Sequence, residues 1–221
     1  MVKIEQYTLK FLKDLSVNNN REWFYANKES YMNARRNFES FVQELIVRLS
    51  DEDKTLRGIE AGSCIFRINR DIRFSADKSP YKTNMGALMI RGGRKNIHRF
   101  AGYYIHIEPG ESLTAGGAYM PPNEWLNAIR EKIIENPAEF LKITGNRDFI
   151  NRFGTIDGEK LKKVPRGFDP HHPQAELIKY KSYLASRAYS DKDVVLQGFF
   201  ESVLSDFLAM KPLNDFLNGC N

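Results

Sequence analysis

At 221 residues with a formal net charge of +5, the chain is long enough for a sizeable core and too evenly charged to be a polybasic arm or an acidic linker. Hydrophobic residues at 42% against charged residues at 28% place it among folded globular domains, and no apolar run approaches the roughly 20 residues of a membrane span. The two cysteines, Cys64 and Cys220, make no disulfide framework; with an opening MVKIEQYTLKFLKDL that does not read as a secretory signal, the expectation is a cytoplasmic protein with no membrane partner.

Residues 3 to 14 carry Ile4, Tyr7, Leu9, Phe11 and Leu12 among polar residues, which predicts a short amphipathic helix. The cluster Asn18-Asn19-Asn20 is turn and N-cap chemistry, because an Asn side chain accepts from the free amides of a first helical turn, and Glu22 suits the positive end of the dipole. Beyond it Trp23, Tyr31, Phe38, Val42, Leu45 and Leu49 recur at helical spacing, so one long helix is expected to about Ser50. From Ala61 the period changes: SCIFRIN, ALMIR, YYIHIE and SLTAGG read as strands of a mainly antiparallel sheet. RGGRKN at 91 to 96 is a loop whose Gly92 and Gly93 are free to take positive φ, and EPGES at 108 to 112 is a hairpin turn. The pair Gly116-Gly117 is read as part of a tight strand-to-helix turn.

Helix returns at Pro121-Pro122, with Trp125, Ile129, Ile133 and Ile134 as its stripe, followed by a second helix from Pro137 to Ile143 and the FINRF segment. Residues 158 to 177, punctuated by Pro165, Gly167, Pro170 and Pro173, are expected to be loop. Val195, Phe199, Val203 and Phe207 predict a helix over Lys192 to Met210, and PLNDFLN a separate short one. The order argues α+β in a single domain over 1–221: N-terminal helices to residue 52, a sheet with a basic loop over 61–118, and a C-terminal helical part over 121–221.

The stretch that draws attention is Arg67 to Lys82, RINRDIRFSADKSPYK. Arg67, Arg70, Arg73, Lys78 and Lys82 alternate there with Ile68, Ile72, Phe74 and Tyr81, so the charges sit on an apolar framework. FRINRDIRFSADKSPYKTNMG resembles the signature of a mainly bacterial family known as domain of unknown function 2461. The similarity extends to NNNREWFYANKESY, YYIHIEPGES, GGAYMPP and VPRGFDPHHPQAELIKYKSY, and thus covers nearly the whole chain; only His171-His172 departs from a more usual acidic-His pair. The resemblance implies one self-contained domain and carries no reaction with it.

The basic stretch has two readings. In one, Arg67, Arg70, Arg73, Lys78 and Lys82 neutralise an anion that Tyr81 orients, with Ser79 and Pro80 opening a helical turn whose free amides face the ligand. In the other, Arg70 and Arg73 pair with Asp71, Asp77 or Glu108 and brace the loop. In YYIHIE, alternation puts Tyr104, His106 and Glu108 on one face, making His106 and Glu108 the titratable candidates for any chemistry. If Arg67 projects from the neighbouring strand to the same side, the sheet floor would combine Arg, His, Tyr and Glu.

Asp169 with His171 and His172 has too few partners for a metal set, so no metal and no cofactor is expected; a turn capped by His is the simpler reading. Three functions follow. The first is a domain that binds or acts on a phosphorylated or carboxylated small ligand. The second is a nucleic-acid-binding module that adds Arg91, Arg94, Lys95 and Arg99, and the third a protein-interaction domain whose basic loop is structural. Oligomeric state leaves no signature.

Overall fold

In the computed structural model, which describes residues 2–220, a four-stranded antiparallel sheet is packed by helices drawn from both ends of the chain. The α+β expectation is met. Helix α1 (Gln6–Val17) leads through the Asn cluster to α2 (Arg21–Ala26) and α3 (Lys28–Leu49). Asn20 caps α2 by accepting from the Trp23 amide at 2.9 Å. The single long helix expected from Trp23 is instead broken at Asn27, whose side-chain amide donates to the Trp23 carbonyl at 2.9 Å and competes with the backbone ladder.

After α4 (Ala61–Cys64), the SCIFRIN segment is not a strand. Cys64 and Ile65 are both buried, and two adjacent inward side chains violate the period of two that a strand imposes. Residues 65 to 69 instead run beside the approach to the sheet through single bridges, Ile65 to Ala87 and Asn69 to Tyr81. The sheet is formed by β1 (Met85–Met89), β2 (Gly102–Ile107), β3 (Ser112–Ala118) and β4 (Tyr183–Tyr189), paired in chain order. Strand β4 went unread in the sequence and lies within the part expected to be helical. Its inward positions include Arg187, a charge that masks the alternation of Tyr183, Ala185 and Tyr189.

Gly92 and Gly93 take φ of +74° and +84°, as the loop between β1 and β2 requires. Gly116 and Gly117 belong to β3 and not to a strand-to-helix turn. They are there for close approach: a Cβ on Gly116 would stand 2.8 Å from the Met210 sulfur, and one on Gly117 2.0 Å from the Tyr183 carbonyl oxygen.

Helices α5 (Asn123–Glu135), α6 (Pro137–Thr144) and α7 (Arg147–Phe153) follow β3, and α8 (Asp191–Val194) and α9 (Phe199–Asn218) close the chain. The helix expected over Lys192 to Met210 is thus split at its start, and α9 runs unbroken through Pro212. Proline removes the donor for the Leu208 carbonyl, but Pro212 and Leu208 both lie on the exposed side, where water can bond that carbonyl. Meanwhile Met210, Leu213, Phe216 and Leu217 are buried and hold the helix against the sheet.

One continuous core runs from Ile4 to Leu217. Tyr103, Ile105 and Ile107 face α9, with the Tyr103 ring 5.4 Å from that of Phe207. Within this inner layer lies a fully buried acid, Asp206 of α9. It accepts from Thr114 Oγ1 at 2.9 Å, Tyr189 Oη at 2.5 Å, Arg152 Nη1 at 3.1 Å and Arg187 Nη1 at 3.0 Å. The outer face is different. Tyr104, His106, Leu113, Ala115 and Ser186 are only half-buried, as befits an antiparallel sheet with one solvated side.

Candidate functional site

The basic stretch forms a loop pinned at its neck. Asn69 bridges Tyr81, the Arg70 amide donates to the Pro80 carbonyl at 3.0 Å, and the Lys82 amide donates to the Ile68 carbonyl at 2.8 Å. Asn19 clamps the returning limb with both ends of its amide, donating to the Tyr81 carbonyl at 2.9 Å and accepting from the Tyr81 amide at 3.1 Å. The Tyr81 ring stacks on Phe24 at 3.9 Å and is 5% exposed, so the side chain expected to orient a ligand is an anchor of the core.

Inside the loop most charges answer one another. Arg73 makes a two-point contact with Asp71, at 2.6 and 2.9 Å, and Arg70 pairs with Asp77. Lys78 donates to the Ile72 carbonyl at 3.0 Å. No helical turn opens at Ser79; instead Asp77 accepts from the Ser79 amide at 2.9 Å and its hydroxyl at 2.6 Å, an Asx turn that leaves those donors spent. The Ser79 bonds first, and then the Arg70 guanidinium, hold the Asp77 carboxyl well below its usual range. Arg70, Arg73 and Lys78 therefore brace the loop, whose tip presents a fully exposed Phe74.

The loop's two ends behave differently. Lys82, and Arg94 from the β1–β2 loop, gather around Phe66, with the Arg67 charge near Lys82. Lys82 Nζ lies 5.3 Å and the Arg94 guanidinium 6.0 Å from the Phe66 ring centroid. Among the described residues none of these three cations has a carboxylate within ion-pair distance. Burial pushes the Lys82 ammonium pKa down, and the nearby Arg67 and Arg94 charges push it further. Arg94 Nη1 is aimed by donating to the Ser63 carbonyl at 2.8 Å. Lys82 and Thr83 also border a cleft of about 400 Å³ that reaches past Arg70 and Ser79 to Asn19.

Beside this cluster runs a hydrogen-bonded series on the outer sheet face. It is Phe66, not Arg67, that meets this face, edge-on to Tyr104 at 6.3 Å. Tyr104 Oη is 2.9 Å from His106 Nδ1, and His106 Nε2 is 2.7 Å from Glu108 Oε2. The other carboxylate oxygen of Glu108 accepts from the Thr83 hydroxyl, so Lys82 and the relay are joined through adjacent residues. Burial, and then the Glu108 charge, raise the Tyr104 pKa to about 12. The phenol therefore keeps its proton; donated to Nδ1 of a neutral imidazole, it leaves Nε2–H facing Glu108.

Register explains why this geometry is possible. Gly86 of β1 stands opposite His106, and a Cβ there would lie 2.6 Å from Tyr104 Oη. Only glycine lets the phenol lie across β1 and reach the imidazole. Gly86→Ala is expected to displace the hydroxyl and break the Tyr104–His106 bond while the protein stays folded. The imidazole nitrogen shifts in a ¹⁵N NMR spectrum check this, and unchanged His106 resonances would refute it.

The sequence profile of the family described as conserved hypothetical protein (DUF2461) matches residues 7–216. The chain belongs to that family. A search of curated proteins returns no match to this DUF2461 chain, and no solved structure matches it.

In this DUF2461 chain the structure brings Arg67, Lys82, His106 and Glu108 into one region and sets Arg70, Arg73, Lys78 and Tyr81 in the frame of the loop. Phe66, Thr83 and Gly86 were not read from the sequence as part of this site, and Arg94 entered only as an addition for nucleic-acid binding, on the signal of its charge. His171 and His172 lie in a turn where Asp169 accepts from the His171 amide at 2.9 Å and His172 Nδ1 from the Gln174 amide at 3.1 Å. Among the described residues no three of His, Cys, Asp and Glu converge as a metal set, and no helix is long and apolar enough to cross a membrane.

Proposed function

We propose that this DUF2461 chain binds a small phosphorylated or carboxylated ligand at Arg67, Lys82 and Arg94, beside the half-open face of the sheet. The observation that carries the reading is charge without an answer. Arg70 and Arg73 each pair with an aspartate, whereas Lys82 and Arg94 at Phe66 have no carboxylate within ion-pair distance, Arg67 feels Asp71 only at longer range, and the three cations repel one another. An anion between them removes that repulsion and returns the Lys82 pKa towards its ordinary value. At a pH where the free Lys82 ammonium is partly deprotonated, binding is therefore accompanied by proton uptake. Both cysteines are free thiols, in keeping with a reducing, cytoplasmic setting.

Isothermal titration with inorganic phosphate and with simple di- and tricarboxylates tests the reading. Lys82→Ala and Arg94→Ala are each expected to weaken binding by about ten- to a hundredfold, the effect of one charge-assisted hydrogen bond. Lys13→Ala, which removes an equal charge from the exposed side of α1, is expected to leave it unchanged. Equal weakening by all three variants would mean only a diffuse field.

A second reading, nucleic-acid binding, draws on the β1–β2 loop, where the guanidinium groups of Arg91 and Arg99 lie 5.4 and 5.7 Å from the Phe100 ring. These groups extend the cation cluster along the surface, as a phosphate backbone would require and a small ligand would not. Under this reading single-stranded DNA binds more tightly than free phosphate, Arg91→Ala weakens it, and affinity falls steeply with salt.

A further inference from the structure

We propose that Tyr104, His106 and Glu108 form a proton relay that activates water for the hydrolysis of a phosphate ester held by Arg67, Lys82 and Arg94. This rests on the anion-binding reading above and adds a reaction to it. The order of groups is that of a hydroxyl, a base and a carboxylate that orients the base. Tyr104 Oη–H donates to Nδ1 over 2.9 Å, and Nε2–H donates to Glu108 over 2.7 Å. Thr83 fixes the carboxylate from its other oxygen. A buried structural trio would be sealed on all sides. This one lies on the half-open face, where the His106 and Glu108 side chains keep 16% and 19% exposure, with the exposed Tyr119 alongside.

The step balances with water as the sole co-reactant. A water proton passes to Tyr104 Oη as the phenol's own proton passes to His106 Nδ1. The water oxygen's electron pair forms the new bond to phosphorus, and the ester P–O bond breaks with its pair on the departing oxygen. That oxygen takes the proton back from the imidazolium through Tyr104, so the products are an alcohol and a phosphate. Glu108 stabilises the transient imidazolium, and the three cations stabilise charge on the phosphoryl oxygens. Tyr104 is the group that touches the reacting water; Glu108 acts only through His106 and is a positioning residue.

The test is a turnover assay over a panel of p-nitrophenyl phosphate, bis(p-nitrophenyl) phosphate, sugar phosphates and nucleoside monophosphates. Inorganic phosphate binding is measured in parallel on the same preparations. Tyr104→Phe and His106→Gln, both close in shape to the originals, are expected to lower kcat by about 10²–10⁴-fold, the usual range for a proton-transfer group, with phosphate affinity retained. Glu108→Gln is expected to lower kcat less, leave KM unchanged and shift the pH–rate profile, which loss of packing alone would not do. Phosphate binding without turnover of any panel member overturns the relay and leaves the anion site standing. Undiminished turnover in Tyr104→Phe also overturns the relay. Absence of phosphate binding overturns both.

Discussion

Asp206→Ala is expected to lower the stability of the folded chain by about 3–5 kcal/mol, the cost of breaking a buried charge network by removing one partner. In a chain of this size that is a fall of roughly 6–20 °C in Tm. Asp206 is fully buried, and four donors from β3, β4 and α7 converge on it. Taking the carboxylate away leaves Thr114 and Tyr189 without an acceptor and Arg187 and Arg152 without their shared counter-charge. Two details favour the lower end of the range. Arg152 retains Asp148 at 2.9 Å, and the Arg187 side chain is 39% exposed and can turn to water. Burial, and then the Asp206 carboxylate, push the Tyr189 phenol pKa up, so it remains a donor throughout the working pH range. Tyr189→Phe should accordingly cost about 1.5–3 kcal/mol, one hydrogen bond to a charged group. Thermal and urea unfolding of both variants measure this, and a Tm for Asp206→Ala within about 2 °C of the parent would show that the network is not a keystone of the core.

Gly117→Ala is expected to cost about 2–5 kcal/mol, from positive-φ strain and overpacking together. Gly117 has φ of +125°, and its added Cβ would meet the Tyr183 carbonyl at 2.0 Å and the Leu184 Cα at 3.0 Å. Both contacts are backbone of the paired strand, so no side chain can rotate away. The relief available is separation of β3 from β4, and the amides of Leu184 to Arg187 should lose hydrogen-exchange protection first. Gly110→Ala is the control: its φ is +81° but nothing lies within 4 Å of the added carbon, so only conformational strain of about 1–2 kcal/mol applies. Equal losses from the two substitutions would mean that the close strand contact contributes nothing.

These two positions also mark where the sequence was silent. Asp206 reads as one acid among the apolar residues of a helix, and nothing local distinguishes it from a solvent-facing charge. Its partners Thr114, Arg152, Tyr189 and Arg187 lie between 17 and 92 residues away in the chain. Strand β4 was hidden for the same reason, since Arg187 points inward only because Asp206 is there to meet it. Conversely, where a signal is local it was legible. The Asn cluster announced a cap at Asn20, YYIHIE announced the alternation that sets Tyr104, His106 and Glu108 on one face, and EPGES announced the hairpin that pairs β2 with β3. Local patterns misled where tertiary burial outweighed them, as at SCIFRIN and along α9 through Pro212.

The sequence by itself therefore determined the α+β class, the family, most helices, three of the four strands and the chemical character of the basic stretch. Each of these depends on residues close together in the chain, where capping, period and composition act. Only the tertiary structure decided which cations are answered and which are not. That division depends on Asp71 and Asp77 folding back onto Arg73 and Arg70, while the β1–β2 loop carries Arg94 to Phe66 and Lys82 with no acid beside it. Pairing between strands set Gly86 against His106 and so let Tyr104 complete the relay. Charge balance and register are properties of distant segments in contact, and a linear pattern carries neither.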